Sequence, residues 1–192
     1  MIECTNLSDG IFLIRSVVPQ EHIDKILEYC INITEEEWNT TQASHYDETN
    51  FWSGRVYDSE DIDSEILESL SFINYRVSRL FKNFTKFDEF NELSRIFPAD
   101  IGMEPHTDDC HEAHADVRYG LIMYLNDNFD GGEIYYPDLD IQHKPKSGDL
   151  VVHRGSILHG VKPVKNETRY MITAFVFGNE DAEFKFDRRN NE

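Results

Sequence analysis

The spacing of apolar positions changes character about half-way along the chain. Ile11 to Val18 is an apolar run of strand length, closed by Pro19. From Gln20 to Ile31, the residues Ile23, Ile26, Leu27 and Cys30 recur on one helical face, which predicts a first helix. Ile62, Ile66, Leu70, Ile73, Val77 and Leu80 repeat that spacing between Asp61 and Phe81, with acidic residues in the first turn, where the helix dipole favours them. The intervening residues 32–60 are rich in Asn, Thr, Ser and Asp and read as a long loop and a candidate lid. Phe51 to Tyr57 reads as a short strand inside that loop.

After Asn91 strand-like runs dominate: Leu93 to Phe97, Tyr119 to Leu125, Glu133 to Tyr136, Asp149 to His153 and Arg169 to Phe177. Turn signals separate them, among them Asn126-Asp127-Asn128, Asp130-Gly131-Gly132 and Lys165-Asn166-Glu167. Helices followed by many short strands predict an α+β protein, with the helices packed on one face of a β-sandwich. The expected organisation is a single domain over 1–192, with helical support over about 1–90 and the strand-rich core over about 91–178.

Composition agrees with a folded, β-rich chain: there are 13 Phe and 9 Tyr, and aromatic side chains fit a pleated, half-buried surface. Charge narrows the partners. With 37 acidic and 18 basic residues the net charge is −19, a field that repels nucleic acid and anionic membranes and favours a basic partner, if any. Cys4, Cys30 and Cys110 are too few and too scattered for a disulfide framework. The opening MIECTNLSDG lacks a signal-peptide pattern, and no apolar run is long enough to cross a membrane. A reducing, cytoplasmic setting is the expectation.

The chemistry-bearing pattern begins at His106-Thr107-Asp108. In a strand, residues two apart share a face, so an imidazole and a carboxylate would emerge side by side. His159, after the small turn Arg154-Gly155-Ser156, supplies a second imidazole. Two histidines and one carboxylate form the facial triad of non-haem Fe(II) oxygenases and leave three positions of an octahedral ion open. Ten residues on, Arg169 opens an apolar strand; a guanidinium there calls for an anion, and a carboxylate can meet it with two parallel hydrogen bonds. His111, His114 and Cys110 follow the first motif in a polar loop, and His153 and Arg154 precede His159 as candidates for the pocket mouth.

Five elements in order carry a family resemblance over about residues 93–177: Pro105-His106-Thr107-Asp108; Met123-Tyr124-Leu125-Asn126 with Gly131-Gly132-Glu133 and Pro137; Lys144 to Leu150; His159-Gly160-Val161-Lys162-Pro163-Val164; and Arg169-Tyr170-Met171-Ile172-Thr173. Together they resemble the prolyl 4-hydroxylase group of Fe(II)/2-oxoglutarate oxygenases, in its oxygen-sensor or microbial branch. The resemblance implies a double-stranded β-helix, or jelly roll, buttressed by N-terminal helices. It implies Fe(II) held by His106, Asp108 and His159, and 2-oxoglutarate held by Arg169 and Tyr124. It also implies O2 as co-reactant, succinate and CO2 as products, and ascorbate as a common reductant of the group. The expected substrate is a proline in a peptide or protein. Phe97 stands near the place of a cosubstrate-contacting tyrosine in many members, and Phe175 where the last strand often carries tryptophan. Trp52 and Tyr57 are candidates to stack on a proline ring. Rival readings are an oxygenase acting on a free amino acid, another side chain or nucleic acid; a zinc or manganese enzyme of the same triad shape; and a non-catalytic sensor of 2-oxoglutarate or metal.

Overall fold

The computed structural model of the protein describes residues 2–40, 52–56, 62–110 and 114–186. The two predicted helices are present as α1, Gln20–Asn32, and a later helix, Ser64–Ser78. A third, α2 (Glu35–Thr40), lies within the stretch read as loop, so Ser64–Ser78 becomes α3. The signal for α2 is a capping box: the Thr34 backbone N–H donates to Glu37 Oε2 at 2.8 Å, and the Glu37 N–H to Thr34 Oγ1 at 3.2 Å.

Eleven strands of three or more residues are present among the described residues: β1 (Glu3–Ser8), β2 (Ile11–Arg15), β3 (Trp52–Val56), β4 (Glu92–Ile96), β5 (Met103–His106), β6 (Val117–Tyr124), β7 (Ile134–Tyr136), β8 (Ile141–His143), β9 (Leu150–Arg154), β10 (His159–Val161) and β11 (Arg169–Phe177). Antiparallel pairing gives a major sheet in the order β1-β2-β9-β6-β11-β4-β3, with the two-residue strand Lys86–Phe87 added beside β11. The minor sheet runs β8-β7-β10-β5.

The N-terminal ninety residues are therefore not only helical support, because β1, β2 and β3 complete the major sheet. β1 escapes prediction for a physical reason. It is an edge strand with no buried position, so its sequence carries no apolar alternation.

Period-two alternation sorts the major sheet into two faces. Leu121 and Met123 of β6, Leu150 and Val152 of β9, and Ile172, Ala174 and Val176 of β11 pack outward against Ile23, Ile26 and Cys30 of α1 and Ile66, Leu70, Ile73 and Val77 of α3. The alternate residues Tyr124 and Val151 turn inward and meet Ile134 and Tyr136 of the minor sheet. The result is the α+β, double-stranded β-helix arrangement expected from the sequence. No described helix is long and apolar enough to cross a membrane.

Candidate active site

His106 ends β5 and His159 begins β10, and the two residues are register partners across the minor sheet. Their rings lie 4.5 Å apart between centroids. Only the histidine of the His106-Thr107-Asp108 pattern is in a strand. Asp108 lies in the following turn, whose backbone is fastened by the Asp108 N–H donating to the Gly155 carbonyl at 2.8 Å. The shared-face argument thus gave the right neighbours by the wrong geometry: a turn, not the pleat, brings the carboxylate round. One ligand atom from each of His106, Asp108 and His159 falls within 4.8 Å of the others, a spacing one metal ion can bridge.

The imidazoles are set for that role. His106 Nδ1 lies 2.9 Å from the Glu104 carbonyl, and His159 Nδ1 lies 2.9 Å from the Ile157 carbonyl. A carbonyl only accepts, so each Nδ1 carries the proton and each Nε2 keeps its lone pair for a metal. Burial, followed by the neighbouring His153, pushes the His159 pKa down to about 3, which keeps the ring neutral. Burial pushes the Asp108 carboxyl up. The His153 hydrogen bond and the three surrounding imidazoles outweigh it and hold the group below the usual carboxylate value.

The three residues open on a cavity of about 320 Å³ between the sheets, whose lining also includes Arg169, Ile96, Met171 and Ile122. Arg169 is fully buried, with Nη1 donating to the Gly132 carbonyl at 3.1 Å and its guanidinium 4.7 Å from the Tyr124 ring centre. That carbonyl belongs to a tight Gly131-Gly132 turn in which both residues have positive φ, 65° and 66°. Arg169 Nε and the Tyr124 hydroxyl have no hydrogen-bond partner, although both are buried. Burial raises the Tyr124 pKa and keeps the phenol neutral, and burial also lowers that of Arg169, against the opposing pull of Tyr124 and Glu133. Two neighbouring unsatisfied donors fit a carboxylate. Three ligand atoms on the same cavity fit a metal with open positions. A 2-oxoglutarate molecule, with a chelating keto acid at one end and a carboxylate at the other, offers a partner for each.

Comparison with known proteins finds relatives among the hydroxylases. No family model matches the chain. Mouse prolyl 3-hydroxylase 2 is 29% identical over 134 residues, covering 59% of this chain and 19% of that protein. A PKHD-type hydroxylase of Maricaulis maris is 32% identical over 101 residues, covering 48% of this chain and 46% of its own length. The chain therefore spans between a fifth and half the length of these relatives. A Trichoplax adhaerens prolyl hydroxylase, solved with a hypoxia inducible factor oxygen degradation domain peptide, superposes with a TM-score of 0.66 at 18% identity, over 88% of this chain and 84% of that one. The chain has the prolyl hydroxylase fold. Its curated relatives are prolyl and PKHD-type hydroxylases.

Within the prolyl hydroxylase fold the remaining sequence candidates separate. Trp52 and Phe175 line the cavity, joined by Glu92, Thr173, Cys110 and by His114, whose ring centre lies 5.5 Å from that of Phe175. Phe97 does not line it. It follows Ile96, which faces the cavity, and alternation turns Phe97 to the opposite side, where its ring covers the Arg95 guanidinium at 4.4 Å. Tyr57, His111 and most of the candidate lid fall outside the described residues. Arg154 is exposed and 3.5 Å from Asp9, whereas His153 is buried inside the site rather than at its mouth.

Sequence reasoning missed Ser94, whose buried hydroxyl lines the cavity without a partner, and Tyr136, which contacts His153. The alternation of Glu92, Ser94 and Ile96 was a signal for Ser94. Nothing local could have paired Tyr136 with His153.

Proposed function

We propose that this chain is an Fe(II)- and 2-oxoglutarate-dependent dioxygenase that hydroxylates an unactivated C–H bond, with a prolyl residue of a peptide or protein as its substrate. The observation that carries this reading is Arg169, whose unpartnered Nε is buried at the wall of the cavity that also holds the His106, Asp108 and His159 cluster, with the unpartnered Tyr124 hydroxyl on the ring packed against its guanidinium. Bound Fe(II), with 2-oxoglutarate and O2, supplies the oxidising power: one oxygen atom enters the substrate as hydroxyl, the other enters succinate, and CO2 leaves.

The chain's residues supply the geometry. His106, Asp108 and His159 hold the metal by three atoms. Arg169 and Tyr124 bind the distal carboxylate of 2-oxoglutarate and so fix which end of it reaches the metal. Ile96, Ile122 and Met171 keep water from the stem between them. Trp52, His114 and Phe175 lie on the cavity wall as apolar and aromatic surface for a substrate ring. The sequence kinship to prolyl hydroxylases supports the prolyl substrate.

The test is succinate release from 2-oxoglutarate with Fe(II) and air, with and without a pool of proline-rich peptides. The expected result is succinate that rises with peptide, a peptide product heavier by one oxygen, and loss of both to background in His159→Ala. Succinate independent of peptide keeps the oxygenase and removes the prolyl substrate. Bound iron and 2-oxoglutarate with no succinate under any condition removes the enzyme and leaves a sensor.

A further inference from the structure

His153 is not one of the three candidate ligands, yet it is bonded to one of them. It lies on the inward face of β9, only 1% exposed, and pairs in register with Gly120 of β6. Its Nε2 is 3.1 Å from Asp108 Oδ2, and its Nδ1 is 3.1 Å from the hydroxyl of fully buried Tyr136. An ionised carboxylate only accepts hydrogen bonds. The His153 proton therefore sits on Nε2 and points at Asp108, and Nδ1 accepts from Tyr136. The result is a directed string, Tyr136 to His153 to Asp108.

The backbone is shaped around this string. A Cβ on Gly120 would lie 2.1 Å from Asp108 Oδ2 and 2.5 Å from His153 Nε2, too close for either atom to stay. Gly120 is thus the floor beneath the hydrogen bond, and its lack of a side chain is what admits it. The two carboxylate oxygens of Asp108 are in different situations as a result. Oδ2 is held by His153. Oδ1 faces His159 Nε2, one of the candidate ligand atoms, at 3.6 Å, beyond hydrogen-bond reach.

We propose that His153 is a positioning residue that confines Asp108 to a single metal-ligating oxygen. The inference rests on the metal-site reading above. A carboxylate can bind a metal through one oxygen or two. Through one, the triad occupies three positions and leaves three, enough for a chelating keto acid and O2. Through two, it occupies four and leaves one too few. A hydrogen bond that engages Oδ2 from the side, with Gly120 closing the space behind it, keeps the count at three.

The experiment is anaerobic titration of the metal-free protein with Co(II), followed by its visible absorption, before and after addition of 2-oxoglutarate. It compares the wild type with His153→Phe, which fills the space without a donor, and His153→Gln, which restores an N–H. The expected result is Co(II) binding about 10- to 100-fold weaker in His153→Phe, a changed Co(II) spectrum that no longer responds fully to 2-oxoglutarate, and recovery of both in His153→Gln. Tyr136→Phe, which removes only the outer hydroxyl, is expected to weaken Co(II) binding several-fold, and it carries the test should His153→Phe not fold. Wild-type affinity and spectrum in His153→Phe, or in Tyr136→Phe where that variant carries the test, overturn the proposal. A wild-type protein that binds no Co(II) overturns the metal-site reading as well, a failure visible before any variant is compared.

Discussion

Arg95 and Arg169 stand on paired strands of the major sheet, one register step apart: Arg169 opposes Ile96, and Arg95 opposes Tyr170. Both are buried, at 4% and 0% exposure, so the chain has removed two guanidinium groups from water. One step of register puts them on opposite faces. On the outer face Arg95 is saturated. Its Nε donates to Ser53 Oγ at 2.8 Å, its two terminal nitrogens to the Glu35 carboxylate at 2.9 and 2.7 Å, and its plane lies between the rings of Trp38 and Phe97. On the inner face Arg169 has one carbonyl, a phenol ring and an orphaned Nε.

Two aspartates repeat the contrast. Buried Asp149 has both oxygens engaged, by Arg15, His143 and the Lys146 N–H, whereas half-buried Asp108 has Oδ2 bonded to His153 and Oδ1 3.6 Å from His159 Nε2. A buried polar group with every bond made holds the fold together. One left open beside a cavity, as Arg169 is, is placed for a ligand, because an unmet buried donor costs about 1–3 kcal/mol that a ligand there can recover.

Exchanging both arginines for methionine sharpens this contrast most. Arg169→Met should raise the 2-oxoglutarate requirement about 100-fold, the loss of one or two charge-assisted hydrogen bonds. It should also stabilise the ligand-free protein by about 1 kcal/mol, since an underpaired buried charge is replaced by a fitting apolar stem. Arg95→Met should do the reverse, costing about 1–2 kcal/mol of stability with the 2-oxoglutarate KM unchanged. Urea unfolding and succinate kinetics on the two variants provide the measurement. The same sign of stability change in both would mean that the open Nε of Arg169 has no energetic weight.

How far the sequence reveals this arrangement depends on the range of the interactions involved. β11 was readable end to end as an apolar strand, and the ordered motifs named residues that the fold brings together, the triad as a cluster and Arg169 against Tyr124. What was not readable is which face a residue takes. Counting back from His106 reaches Phe97, yet pleating turns Phe97 to Arg95 and gives the cavity Ile96 and Ser94 instead. His153 sits in an apolar run, Leu150 to Arg154, where its neighbours suggest only burial. Its contacts appear only when β6 presents Gly120 beside it and β7 presents Tyr136 from the opposing sheet. α2 was readable in principle from Thr34 and Glu37, although six residues are too few for a helical period to show.

The smallest effect concerns protons on the inner face. Burial holds the pKa of His159 at about 3 in the folded, metal-free protein, whereas in the unfolded chain a histidine takes up its proton near 6.5. Between those values the unfolded state binds more protons than the folded one. This contribution to stability is therefore complete above pH 6.5 and is lost as the pH falls towards 3, with a limiting slope of about 1.4 kcal/mol per pH unit for one proton. Asp108 acts in the same direction but only at lower pH, because its carboxyl, held below the usual value, loses its contribution as it protonates. A series of unfolding curves in EDTA at pH 7, 6 and 5 isolates His159 from Asp108. The wild type should weaken across the series more steeply than His159→Gln, which has no ring to protonate. Equal slopes would mean that the buried imidazole is not held neutral. The contrast between Arg95 and Asp149, whose bonds are made, and the groups left open on the inner face would then rest on Arg169 and Tyr124 alone.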